Sequence, residues 1–224
     1  MPIIATKGAD IPEREPVPAG THVARCYQIV EIGHVPEEYQ GETKIAHKVR
    51  VTWELPDELR EFKEGEGQKP MSISKEYTLS TNERATLRHH LDAWRGKPMT
   101  DTEAMAFDIE AILGVPCLLN VIRKKSADGK REYANIAGIS PLVKGMVCPP
   151  QVNPSRVLSF DKFDQDLFLS LPEFIREKIG QSEEYAVLTG RPIVDEEDPA
   201  PKERKQEKID YTGQGEINID DIPF

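Results

Sequence analysis

Long apolar runs are absent from this chain of 224 residues. None approaches the roughly 18–20 residues that a bilayer-spanning helix needs, so the sequence offers no helical membrane anchor. Met1–Gly20 carries scattered charges and four prolines, with no apolar block like that of a signal peptide. Cysteine is scarce: Cys26, Cys117 and Cys148 lie far apart and form no CxxC pair. That number and spacing fit buried thiols in a reducing compartment better than a disulfide framework or a zinc site. The reading is a soluble cytoplasmic protein.

Signatures of enzymes are missing too. The chain contains no GxxxxGK[ST], GxSxG or HExxH, and no GxGxxG after a strand. Its histidines are His22, His34, His47, His89 and His90. Only the last two adjoin, and neighbours on a helix point about 100° apart, so they are read as ordinary polar helix positions. The sequence leads to no catalytic residue, no metal ligand and no cofactor.

Basic residues are outnumbered, 29 Lys+Arg against 39 Asp+Glu, for a net charge of −10. On average that argues against nucleic acid, because neutralising phosphates needs clustered cations. The distribution changes the argument. Residues 1–150 hold 20 basic and 22 acidic side chains, 151–194 hold 5 and 7, and 195–224 hold 4 and 10. The body is near neutral and the end of the chain is acidic.

Four regions follow from the patterning. Residues 1–20 are a Pro-rich, aperiodic leader, expected to be flexible. Residues 21–145 read as strands with a helical insertion. Thr21–Gly33 is β-branched and aromatic and stops at a glycine. In Lys44–Leu55, Ile45, His47, Val49, Val51 and Trp53 alternate with Lys44, Ala46, Lys48, Arg50 and Thr52. Met71–Leu79 alternates as well, after a charged loop at Pro56–Pro70. Ser80 and Glu83 have capping-box spacing, Leu87, Leu91 and Trp94 recur at helical spacing, and Gly96 is the expected stop. Phe107–Leu113 suggests a second short helix ending at Gly114. Val115–Lys124 and Glu132–Pro141 then form a hairpin around Ser126–Gly129.

Residues 146–190 form a connector and a helical appendage. There Ser170 and Glu173 repeat the capping-box spacing, and Gly180 is the expected stop. Gln165–Phe168 is similar in part to sliding-clamp peptides, but its register departs from them and helix packing explains it. Residues 191–224 are too polar to order a core and read as a disordered acidic tail. Three strands, a helical insertion and a closing hairpin match a mainly β fold. The expected form is a five-stranded Greek-key barrel of the OB type, with the helix between strands 3 and 4.

Cations and aromatics intersperse along these strands: Arg25, Tyr27, Lys44, Lys48, Arg50, Trp53, Lys75, Tyr77, Lys124, Arg131 and Tyr133. Cations tracking phosphates, with aromatics stacking on bases, are what non-specific single-strand binding uses. Trp53 and Tyr77 share faces with Val49, Val51, Ile73 and Leu79, so the same pattern assigns both to the core. Tyr27, Tyr133, Lys48 and Arg50 are the stronger candidates.

The chain ends Asp220-Asp221-Ile222-Pro223-Phe224, which resembles the tail of bacterial single-stranded DNA-binding proteins. The resemblance implies that Phe224 enters a hydrophobic pocket on a partner with Ile222 and Pro223. Asp220, Asp221 and the terminal carboxylate would meet basic residues around that pocket. The segments HKVRVTWEL (47–55), EYTLSTNERATLRHHLDAWRG (76–96), GVPCLLNV (114–121) and EYANIAGISPLVKGM (132–146) are similar to a family of phage-encoded single-stranded DNA-binding proteins. By this resemblance the chain works in DNA replication, recombination or repair in the cytoplasm of a bacterial host. Its partners would be single-stranded DNA and host or phage replication and repair proteins, and homo-oligomerisation is left open. The alternative is an OB-fold adaptor that binds protein and docks on host replication machinery.

Overall fold

The computed structural model describes residues 15–39, 41–126, 129 and 131–191. The first fourteen residues, Lys130 and the acidic tail with its Asp220–Phe224 tip lie outside that set. Among the described residues the fold is mainly β. The strands are β1 (Gly20–Tyr39), β2 (Glu42–Glu61), β3 (Gln68–Thr78), β4 (Pro116–Lys125), β5 (Glu132–Ser140) and β6 (Arg156–Leu158). They form one open sheet in the order β3-β2-β1-β4-β5, antiparallel throughout, with β6 added parallel to β1. No ladder joins β3 to β5 among the described residues, although the Lys75 Nζ donates to the Ile136 carbonyl across that seam at 2.6 Å.

β1 and β2 run much further than their apolar patterns suggest. β1 continues through Gly33, which takes φ +90° inside a register shift instead of ending the strand. A left-handed glycine of this kind lets a strand bulge and keep pairing. β2 extends to Glu61 through an irregularity between Leu55 and Leu59, so the charged loop shrinks to residues 62–67.

The alternation read from β2 is obeyed, and it puts Val49, Val51, Trp53 and Leu55 into the main core. They meet Cys26, Ile29, Ile73, Tyr77, Leu119, Val121 and Ile136 there. Helix α1 (Thr86–Arg95) closes this core with Leu87, Leu91 and Trp94, so the helical insertion does lie between the third and fourth strands. Gly96 ends α1 at φ +69°, as the sequence suggests. The helix expected over Phe107–Leu113 is a 3₁₀ turn, Ile109–Ile112, before Gly114, and a short helix the pattern did not announce, α2 (Asp101–Met105), precedes it.

Neither expected capping box forms. Ser80 lies in a turn, its Oγ accepting from the Asn82 N–H, and α1 starts after Ala85. Ser170 instead donates to the Leu167 carbonyl, closing α3 (Gln165–Ser170), and Pro172 precedes α4 (Glu173–Gly180). The reciprocal box occurs at Thr100 and Glu103, which carry the same T-x-x-E signature. Gly180 is still helical and the stop comes at Gln181.

A second core lies under the appendage. α3, α4 and α5 (Glu183–Thr189) bring Leu167, Phe168, Leu171, Ile175 and Ile179 against Val30, Ile32 and Val35 of β1 and Leu158 of β6. Leu167 and Phe168 are buried here, which accounts for the Gln165–Phe168 segment by packing. The appendage therefore covers the polar face of β2. Lys48 and Thr52 are buried, and Glu54 is fully buried, accepting from the Val152 and Asn153 N–H groups at 2.8 Å and from Asn153 Nδ2 at 2.7 Å.

Candidate nucleic-acid interface

A cleft of about 580 Å³ lies between the outer face of β1–β2–β3 and the appendage. That volume falls within the roughly 300–1,000 Å³ of ordinary ligand sites. Its floor is built by strand periodicity: Gln28 pairs with Thr52 and Thr52 with Ser74, so these side chains share one face. The register shift between Cys26 and Gln28 leaves Tyr27 outside the ladder. Tyr27 lines the cleft with Arg50, Thr52, Ser72, Ser74 and Arg156. Burial raises the Tyr27 pKa, a hydrogen bond from Ser72 opposing it, so its hydroxyl stays protonated.

Arg50 carries the cleft's charge. Its Nη1 lies 3.3 Å from Glu76 Oε1, and its guanidinium sits 5.7 Å from the centre of the Phe174 ring. Burial lowers the Arg50 pKa, and Glu76 pulls it back up. Glu76 is also paired with Lys178 of α4. Phe174 itself is 58% exposed, so its ring is free on the side away from Arg50. Arg156 escaped notice because β6 is three residues long inside a proline-punctuated stretch. Its one local signal is the β-branched Val157 between Arg156 and Leu158, just after Pro154-Ser155.

The β4–β5 hairpin carries a second set of candidates. Lys124 faces Tyr133 in register, both are exposed, and Arg131 is exposed beside the turn. Lys75 lies near enough to Lys124 for that charge to add to burial in lowering the Lys75 pKa. Ala134, next to Tyr133, lines the cleft, so the hairpin borders it.

The remaining candidates serve the fold or lie apart. Trp53 is 1% and Tyr77 4% exposed, both in the main core. Burial pushes the Tyr77 hydroxyl well up, and it meets His90 Nδ1 at 2.8 Å. Arg25 donates to the Gly114 and Pro149 carbonyls at 2.7 and 3.2 Å, tying β1 to two loops. Lys48 is paired with Glu37 and donates to Thr78 Oγ1. Lys44 is exposed beside Glu42, towards the far end of the ribbon. Of the free cysteines, Cys26 and Cys117 are buried, and desolvation holds the Cys26 thiol at about 12.

Comparison with protein-family models, with curated proteins and with solved structures returns no match. No helix among the described residues is long and apolar enough to cross a membrane.

Proposed function

We propose that the chain binds single-stranded DNA without sequence preference, threading it through the cleft above β1–β2–β3. The observation that carries this reading is the convergence of Tyr27, Arg50 and Arg156 on one groove lined with hydroxyl groups, with the exposed Phe174 ring beside Arg50. Arg50 and Arg156 would meet phosphates while the two aromatics stack on bases. The exposed Lys124, Arg131 and Tyr133 would extend the track past the hairpin. The strand order supports the OB reading, since β3-β2-β1-β4-β5 is the order that a five-stranded barrel of that type would have if opened between its third and fifth strands. The Asp220–Phe224 tip would recruit replication or repair proteins, in keeping with its resemblance.

One observation favours the adaptor reading. Lys48 and Arg50 are already neutralised by Glu37 and Glu76, which weakens the field a polyanion would feel. Substituting those two cations with Glu would set like charges against each other and test stability instead. Phe174→Ala and Arg156→Glu are cleaner, because both side chains are exposed. A stacked base contributes about 1–3 kcal/mol, so Phe174→Ala should weaken oligo-dT binding about 5- to 150-fold in fluorescence anisotropy. Unchanged affinity in both variants, with tail-dependent protein capture intact, favours the adaptor.

A further inference from the structure

We propose that His34, His47 and Glu184 form a binding site for a divalent transition ion of the zinc class, clamping α5 to the β1–β2 ribbon. The three residues come from β1, β2 and α5, and one nitrogen of each imidazole and one Glu184 oxygen all lie within 4.8 Å of one another. Two imidazoles and a carboxylate suit Zn²⁺, Co²⁺ or Ni²⁺, whereas Mg²⁺ and Ca²⁺ require oxygen shells.

The surroundings are arranged for this approach. His34 Nδ1 stands 2.5 Å from Glu184 Oε1, and the His34 backbone N–H donates to Oε2 at 2.8 Å, so the carboxylate is already oriented. A Cβ at Gly33 would run into Glu184 Oε2 and come within 2.7 Å of Ser182 Cβ, so only glycine admits the carboxylate this close. His47 is held from behind, its Nε2 2.8 Å from Glu31 Oε1. A carboxylate behind a liganding imidazole is the usual outer support of such sites.

The two rings stack at 4.4 Å with 23° between their planes, so binding requires one ring to turn. The His34 side chain is 42% exposed, which leaves solvent space for its ring to turn once an ion takes up its contact with Glu184. Ligand bonds of about 2.0–2.1 Å give a tetrahedral edge of about 3.3 Å, so an ion would part His34 Nδ1 and Glu184 Oε1 from their 2.5 Å while the His47 donor, within 4.8 Å, adjusts to the same edge. An ion would replace the proton shared by His34 and Glu184, and solvent would fill the fourth position. No motif spacing announces the site, because His34 and Glu184 are separated by 150 residues.

The test is titration of the tag-free, chelator-stripped full chain with Co²⁺ and Zn²⁺. One saturable equivalent is expected, with visible Co²⁺ bands and a melting temperature raised by Zn²⁺, since the ion binds only the folded state. His34→Gln and Glu184→Gln should each weaken binding at least tenfold, while His89→Gln leaves it unchanged and Mg²⁺ does not compete. Histidine side-chain NMR of the unaltered chain gives a readout independent of any variant's folding: Zn²⁺ should shift His34 and His47 and spare His22, His89 and His90. Absence of saturable uptake, uptake that survives both substitutions, or shifts confined to the other histidines would overturn the proposal.

Discussion

His90 shows at the scale of one residue how packing sets chemistry that the sequence leaves neutral. It sits on α1 against Tyr77, whose ring meets it edge-on at 5.5 Å. Burial, with Lys75 and His89 adding repulsion, lowers its pKa from 6.5 to about 4. The folded chain therefore keeps His90 neutral down to about pH 4, whereas the unfolded chain takes up a proton near 6.5. Stability is unaffected by this group above pH 6.5 and is lost as pH falls from there towards 4. Thermal melts across pH 4–7.5 should show His90→Gln with a shallower acid decline than the wild-type chain. Parallel curves would show that the group does not titrate in that window.

Glu54 gives a second residue-scale outcome. Alanine there leaves three part-buried donors of residues 152–153 without their acceptor. The expected cost is about 1–3 kcal/mol in denaturant unfolding. A loss below 1 kcal/mol would mean that the connector is not anchored by this carboxylate.

Elements separate what local pattern encodes from what it leaves out. The Val49–Val51–Trp53 stripe, the stop at Gly96 and the Ser126–Gly129 turn were legible because each is decided within a few residues. The Gly129 N–H donates to the Ser126 carbonyl at 2.8 Å. β6 was not legible: its pairing with Gln28–Val30 joins residues 128 positions apart. Nor was the covering of the β2 polar face. Alternation says that Lys48, Thr52 and Glu54 are not apolar; it does not say that they are exposed. Glu37 and Thr78 satisfy Lys48, Ser74 satisfies Thr52 and Asn153 satisfies Glu54 under cover, which no period in the sequence announces. Of the candidate interface, Tyr27 and Arg50 were found by pattern, and Arg156 and Phe174 only by tertiary placement.

On the scale of the whole molecule, the acidity at the end of the chain is the counterpart of the proposed groove. The proposed function predicts that the ten carboxylates of residues 195–224, acting as a polyanion, compete with DNA for the groove's cations. Ending the chain after Arg191 keeps that guanidinium on the Tyr185 ring and removes the competitor. Affinity for oligo-dT should then rise and its salt dependence change. Identical binding across a salt series would remove the competition from the account.

The most direct measurement is anisotropy of labelled oligo-dT and of a duplex of equal length, titrated with the full chain at fixed salt. Strong preference for the single strand is expected, with little quenching of Trp53 and Trp94, which are 1% and 6% exposed and out of reach of stacked bases. Equal affinity for both forms, or binding to neither, would contradict the proposed function.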